Sequence, residues 1–299
     1  MEQGRTRSKW LPIVAAAAVA LSNPFMLVAM GATLGLIFFW CDHRAAYRKI
    51  AGLAMLPLLA LVLWLEPLLS FFALTASFIG VWTLRKNFFS TVTSNALVGC
   101  LIAVALTAGV VLETGPALWG RIEANALATQ QRWQKLAVKE DPADSEQKEL
   151  WEKWNRLAVK IIPGHFVLMM IASFFLSIIL YRRYGKSRLP LSLGCSQFNE
   201  YRFEDNWVWL VIIGLVLALL FSANETLLRV AINILFVMGM LYIIRGLAVM
   251  FYFIAKRQGG MLLRVLLVVL CLTPMVMLHL VFGLLDTWVD FRRSVPATR

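Results

Sequence analysis

The sequence predicts an all-α fold, a polytopic bundle of eight or nine transmembrane helices with an extramembrane amphipathic helical hairpin. Of its 299 residues, 60% are hydrophobic and 15% are charged, whereas soluble domains contain about 45–50% apolar and about 25% charged residues. The mean hydropathy is +0.73, and long apolar runs recur along the chain. These values exclude a soluble enzyme, a disordered tail, a fibrous repeat and a small disulfide scaffold.

The apolar runs define the expected membrane spans. A spanning helix needs roughly 20 apolar residues, with about 17 as a minimum. Three runs reach that length comfortably, namely Ile161–Tyr181, Val230–Ile254 and Met261–Leu285. Two more, Ala96–Leu112 and Trp207–Ala223, lie near the minimum.

The first part of the chain is ambiguous because proline interrupts both of its apolar runs. Pro24 lies near the middle of Leu11–Trp40, and Pro67 lies at the middle of Ile50–Trp82. Proline breaks a helix and restrains the residue before it. Each run is therefore either one kinked helix or a tight hairpin of two short helices.

The charge distribution favours two hairpins and gives an orientation. The formal charge of +12 comes from short basic links between apolar runs. With nine spans and a cytoplasmic N-terminus, the inner links hold 16 basic residues and the outer segments other than the long loop hold 4, as the positive-inside rule requires. We therefore expect a membrane protein whose basic links face the cytoplasm and anionic lipid, with no nucleic-acid partner.

The long loop Glu113–Lys160 differs from the rest, since its eight basic and eight acidic residues cancel. Apolar residues recur in it at three-to-four spacing and Pro142 divides it, which predicts two amphipathic helices outside the membrane. They form a solvated hairpin, a substrate lid or a partner-docking surface. The expected organisation is an N-terminal membrane half (1–112), this external loop (113–160) and a C-terminal membrane half (161–299).

The cysteine and histidine residues indicate neither a metal site nor a disulfide framework. The four cysteines include no CxxC pair, and the three histidines lack the spacing of metal ligands. No P-loop or other nucleotide fingerprint is present. We therefore expect no cofactor, no metal and no catalytic activity.

Arg245 is the most informative single residue. It stands eleven residues before Lys256, which places it about 16 Å deep in a membrane core of about 30 Å. Every acidic residue falls in a loop, at a turn or, like Asp286, at the end of a span, so we expect no carboxylate at its depth. Arg245 then either meets an anionic group on a ligand or lipid, or snorkels or bonds to backbone carbonyls.

Two further positions are candidates. Asn233 shares the helix of Arg245 but lies about 120° around its axis, and it either takes part in ligand binding or bonds to a neighbouring helix. In the C-terminal motif, Asp286, Asp290 and Arg293 align at i, i+4 and i+7 if the segment is helical. They hold a cation, pair with the arginines or mark an aromatic and charged membrane exit. His279 shares the face of Asp286, where a proton relay is conceivable.

Three stretches carry a resemblance to a known family. They are Phe198-Asn-Glu-Tyr-Arg202 leading into Trp207-Val-Trp-Leu210, Ala231-Ile-Asn233-Ile-Leu with Tyr242-Ile-Ile-Arg245-Gly246-Leu-Ala248, and Gly283-Leu-Leu-Asp286-Thr-Trp-Val-Asp290-Phe-Arg292. With these stretches the chain resembles the YybS-like family of bacterial multipass membrane proteins over roughly its last 140 residues. That family is similar to the membrane substrate-binding (S) components of energy-coupling-factor transporters. The resemblance supplies no ligand residues.

The expected function is non-enzymatic. The resemblance and Arg245 together favour an S-component-like binding or transport subunit for a small molecule, with an anionic ligand. The alternative is a membrane scaffold in envelope or lipid biogenesis, whose external loop docks a protein partner. In either case the lipid bilayer is a partner, and a membrane-protein partner or a homo-oligomer is expected.

Overall fold

A computed structural model describes six stretches of the chain, residues 24–41, 67–86, 88–107, 157–184, 201–256 and 276–291, together with Ala124, Ala128, Lys153 and Phe198. Every regular element in these stretches is helical. The all-α prediction is therefore confirmed for the described residues.

Seven α-helices of more than ten residues lie in the described stretches. They are α1 (Pro24–Cys41), α2 (Pro67–Lys86), α3 (Val92–Thr107), α4 (Ile162–Tyr184), α5 (Val208–Leu220), α6 (Glu225–Lys256) and α7 (Val276–Val289). A 3-10 turn, Asp205–Trp207, directly precedes α5.

The two prolines that interrupt the first apolar runs begin helices. Helix α1 starts at Pro24 and α2 starts at Pro67. Proline suits the first helical position because its missing N–H would have had no partner there. The residues before each proline lie outside the described stretches, so the choice between a hairpin and a kinked helix stays a prediction.

Two helices are long and apolar enough to cross a membrane by length and composition, over Ile162–Tyr181 and Glu225–Ile254. They correspond to two of the three longest predicted spans. Four shorter apolar helical segments of 10–17 residues also lie in the described stretches, namely Val28–Phe38, Val92–Thr107, Asp205–Leu220 and Val276–Val289. The prediction of eight or nine spans is therefore not confirmed, and most of the amphipathic loop 113–160 lies outside the described residues.

The chain forms two compact units. Unit 1 comprises Met1–Arg121 and Phe166–Leu191, and unit 2 comprises Ile122–His165 and Ser192–Arg299. Most of the residues around the predicted boundaries at 112 and 160 lie outside the described stretches, so those boundaries stay a prediction.

Small polar side chains join the helices of unit 1. The hydroxyls of Thr33 in α1 and Ser77 in α2 are 3.0 Å apart, and the Ser177 hydroxyl of α4 donates to the Met30 carbonyl at 3.0 Å. Such bonds between helices stabilise membrane bundles by roughly 0.6–2 kcal/mol each. Polar residues thus serve packing in this unit.

Unit 2 is built around α6, against which α5 and α7 pack. Two glycines bring the backbones of α6 and α7 together. A Cβ atom on Gly246 would overlap the His279 carbonyl, and one on Gly283 would overlap the Tyr242 carbonyl. This close approach allows short side chains to bridge the two helices.

Candidate functional site

Arg245 of α6 is fully buried and is held by two carboxylates. Its Nε donates to Asp286 Oδ2 at 2.9 Å, and one terminal nitrogen donates to Asp205 Oδ1 at 2.8 Å. The backbone carbonyls of Asp286 (3.1 Å) and Phe203 (3.4 Å) also accept hydrogen bonds from it. The prediction that Arg245 has no carboxylate at its depth is therefore wrong.

Helix α7 presents Asp286 from its buried face. His279, Gly283 and Asp286 are the buried residues of this helix, and their spacing of four and three places them on one side. Because Gly283 lets the backbones meet, the short Asp286 side chain reaches the guanidinium directly. Asp286 is itself fully buried, so it belongs to the packed interior of unit 2 and not to an exposed helix end.

The second carboxylate comes from the connection that leads into α5. Residues 201–204 are non-helical, and Asp205 begins the 3-10 turn. Its two oxygens bind different guanidinium groups, Oδ1 that of Arg245 and Oδ2 that of Arg202 at 2.7 Å. The Asp205 side chain is 38% exposed, whereas that of Arg245 is 0% exposed. Asp205 thus links a buried charge to the protein surface.

Arg202 extends the chain of ion pairs to Asp290, whose Oδ2 lies 2.9 Å from its terminal nitrogen. Partial burial lowers the pKa of Arg202, but the hydrogen bonds and charges of Asp205 and Asp290 outweigh this effect and raise it above its ordinary value. Arg202 therefore stays protonated at any pH the protein would meet.

Asp290 occupies a different backbone conformation from the one predicted. Helix α7 ends at Val289, and Asp290 has a φ of 43°, a left-handed conformation in which aspartate is enriched among non-glycine residues. The predicted alignment of Asp286 and Asp290 along one helix is therefore wrong, because the chain leaves the helix between them. Arg293 lies outside the described residues.

We call these five residues, Arg202, Asp205, Arg245, Asp286 and Asp290, the charge cluster. With every member ionised its formal charge is −1, since three carboxylates face two guanidinium groups. Its inner pair, Arg245 and Asp286, is fully buried, while Arg202 is 32% and Asp290 18% exposed at the side chain. The cluster therefore runs from the packed interior to the surface of unit 2.

Aromatic and hydroxyl side chains surround its inner end. The Arg245 guanidinium lies 5.3 Å from the centre of the Phe203 ring, which packs edge-on against Tyr242 at 5.1 Å. Tyr242 interacts with the charges of Arg245 and Asp205 and has Thr287 beside it. The Tyr242 and Thr287 hydroxyls bond to each other, and neither bonds to a charged member of the cluster among the described residues.

Asn233 has a separate role at the start of α4. Its Oδ1 accepts a hydrogen bond from the Gly164 backbone N–H at 2.6 Å, and its Nδ2 donates to the carbonyls of Lys160 and Arg229, both at 2.8 Å. The first backbone N–H groups of a helix lack partners within it, so Asn233 caps α4 from α6. Of the two interpretations, bonding to a neighbouring helix is the one that this geometry supports.

Sequence reasoning missed Arg202 and Asp205. The available signal was their i, i+3 spacing directly before an apolar helix, inside the first of the three stretches that carry the resemblance. The three stretches contain four members of the charge cluster, and the fifth, Asp205, lies between the two parts of the first stretch. Within the described ranges, no three His, Cys, Asp or Glu side chains are grouped to hold a metal ion.

The comparisons with known proteins give a family. No curated protein and no solved structure matches the chain significantly. A family model described as a predicted membrane protein matches residues 12–287, nearly the whole chain. This match supports the expected membrane-protein family in its coarse form and gives no support to a likeness to transporter components. The chain belongs to the DUF2232 family of predicted membrane proteins.

Proposed function

We propose that the protein is a non-enzymatic, multipass protein of the bacterial inner membrane that binds a small anionic molecule at the charge cluster. It acts as a binding or transport subunit, in the manner of the S components of energy-coupling-factor transporters. The observation that carries this proposal is the partly exposed Asp205 carboxylate, which two guanidinium groups hold, one of them fully buried.

The surface of unit 2 supports a membrane environment. Gly214 is the one buried residue of α5, and large apolar side chains such as Trp209 and Leu219 are exposed on this helix, at 63% and 77%. Contiguous apolar surface of this kind is rare on soluble monomers. Helix α6 has 32 residues, a length of about 48 Å, enough to cross a hydrocarbon core of about 30 Å.

The position of the charges supports binding. Ionisable groups inside a membrane are costly, and they are kept where they pair with one another or line a path for a ligand or ion. The Arg245–Asp286 pair alone would neutralise the buried guanidinium. The cluster continues past this pair to Arg202, so a second guanidinium group, 32% exposed at the side chain, holds Asp205 at the surface of unit 2.

The alternative function is a membrane scaffold that docks a protein partner through residues 113–160. Most of that loop lies outside the described residues, and no contact in the described part of the chain favours it. We also propose that this loop lies on the outer side of the membrane and that the N-terminus is cytoplasmic.

Native mass spectrometry of the detergent-purified protein tests the proposal. We expect a small anionic molecule to co-purify with the wild type and to be lost from Arg245→Gln, provided that the variant inserts normally. Lys86→Gln removes an exposed cation at the end of α2 and serves as the matched control, which keeps the ligand. A wild type that carries no small molecule but a stoichiometric protein partner would favour the scaffold instead.

A further inference from the structure

The geometry of Asp205 is that of a bound ligand. Its two carboxylate oxygens bond to separate guanidinium groups, at 2.8 Å to Arg245 and 2.7 Å to Arg202. A carboxylate is a planar, two-oxygen anion that matches guanidinium N–H groups closely. Any small molecule that presents a carboxylate at this point forms the same two bonds.

Asp205 is the most easily displaced carboxylate of the cluster. Asp286 is fully buried on α7, so its departure would leave an ionised group or a cavity inside unit 2. Asp205 has a side chain that is 38% exposed and lies on a single 3-10 turn. Rotation of its side chain returns its charge to water, while the buried, stacked Phe203 ring keeps the connection in place.

The charge of the cluster selects the class of ligand. With Asp205 turned out to water, a ligand carboxylate in its place leaves the charge in direct contact with the two guanidinium groups unchanged. A phosphate group carries about −1.5 to −2 near neutral pH and would add repulsion beside Asp286 and Asp290. A monovalent carboxylate is therefore favoured over phosphate.

A second group of side chains can receive the rest of the ligand. The Tyr242 hydroxyl is buried close to Arg245 and Asp205, and Thr287 lies beside it. The two hydroxyls are hydrogen-bond partners of each other, and because one such bond uses only one of their two O–H groups, the other O–H group remains available to donate. A ligand oxygen beside this pair would accept that hydrogen bond.

We infer that Asp205 occupies the place of a ligand carboxylate, and that the protein binds a small carboxylate-bearing molecule between Arg202 and Arg245 with a second oxygen at Tyr242 and Thr287. This inference rests on the proposed function and names its ligand class. Ligand binding then requires that Asp205 leave the two arginines.

Chemical rescue tests the inference. Asp205→Ala vacates the position between the arginines, whereas Asp205→Asn fills it with a neutral amide of the same size. Full-length variants in detergent are melted in increasing sodium acetate, with sodium chloride and sodium phosphate at matched ionic strength. We expect saturable stabilisation of Asp205→Ala by acetate, a rise in apparent Tm of roughly 5 °C or more, with little response from Asp205→Asn or Asp205→Ala/Arg202→Gln.

Other results overturn the inference. Equal rescue by phosphate removes the carboxylate class, and a folded Asp205→Ala that ignores acetate removes the exchange. If Asp205→Ala does not fold, Asp205→Ser takes its place; failure of both to fold even in acetate makes Asp205 purely structural. Acetate rescue without a co-purifying anion in the wild type would contradict the proposed function alone, and a co-purifying anion without rescue would contradict this inference alone.

Discussion

Removing the Asp286 carboxylate is the sharpest test of the buried ion pair. In Asp286→Leu the Arg245 guanidinium keeps its bond to Asp205 but loses the 2.9 Å bond from Nε. Both members of this pair are 0% exposed, so water cannot replace the missing oxygen without opening the contact between α6 and α7. We expect a large loss of stability.

The magnitude follows from the burial of both groups. Removing one partner of a buried ion pair costs about 3–5 kcal/mol, because the other charge stays buried without compensation. Replacing both partners by apolar residues of similar volume is often neutral or stabilising. The double variant Arg245→Met/Asp286→Leu therefore recovers most of the stability that Asp286→Leu loses, and the Arg202–Asp205 pair is left in place.

Thermal unfolding in detergent, monitored for the wild type, both single variants and the double variant, completes a double-mutant cycle. A positive recovery in the double variant shows that the two side chains interact directly. Strictly additive losses in the double variant would refute the reasoning, since they would mean that Arg245 and Asp286 contribute independently.

Three other predictions concern packing and capping. Gly246→Ala forces α6 away from the His279 carbonyl and costs about 1–3 kcal/mol or more. Gly239→Ala, with nothing within 4 Å of its new Cβ, is the control and leaves the Tm unchanged or slightly raised. Equal effects of the two variants on the Tm would argue against the close helix contact. Asn233→Leu removes the cap of α4 and lowers stability by about 0.5–2 kcal/mol, a loss that Asn233→Asp, which keeps the acceptor, reduces. Arg202→Lys retains the charge but cannot bond to Asp205 and Asp290 at the same time. Because these groups are partly exposed, we expect it to lower the free energy of unfolding by only about 0–1 kcal/mol. A larger loss of stability on melting would show that the outer ion pairs contribute more to stability than the buried pair.

Composition was enough to predict the class of fold. An apolar content of 60% leaves too few polar residues for a soluble surface. The helices at Ile162–Tyr181 and Glu225–Ile254 follow two of the three runs that were predicted to span a membrane comfortably. Pro24 and Pro67 indicated where each apolar run is interrupted, and α1 and α2 begin at these residues because proline lacks the N–H group that a helix interior needs. Features that depend on neighbouring residues in the sequence could therefore be predicted.

The carboxylate partner of Arg245 could not be predicted from neighbouring residues. Counting residues from the end of each apolar run placed Arg245 in the middle of one helix and Asp286 at the end of another. In the structure, Asp286 near the end of α7 meets Arg245 in the interior of the 32-residue helix α6. Such a meeting depends on how the helices cross at Gly246 and Gly283, which periodicity does not encode.

Asp205 and Asp290 show a second limit. Helical spacing was extended through Asp290, although the chain leaves α7 after Val289. Asp205 lies in a short turn with no apolar period. Asp290 joins the cluster through Arg202, 88 residues away in the sequence, and Asp205 reaches Arg245 over a separation of 40 residues. Long-range contacts of this kind are not visible in the spacing of a single segment.

The central claim is that the charge cluster contains a carboxylate site that Asp205 fills in the absence of ligand. Binding of 13C-labelled acetate to the purified Asp205→Ala variant, measured by equilibrium dialysis, tests it most directly. The account predicts a single saturable acetate site in Asp205→Ala. The double variant Asp205→Ala/Arg202→Gln and the variant Asp205→Asn lack this site. Acetate uptake that is absent, or that is the same in all three variants, would contradict it.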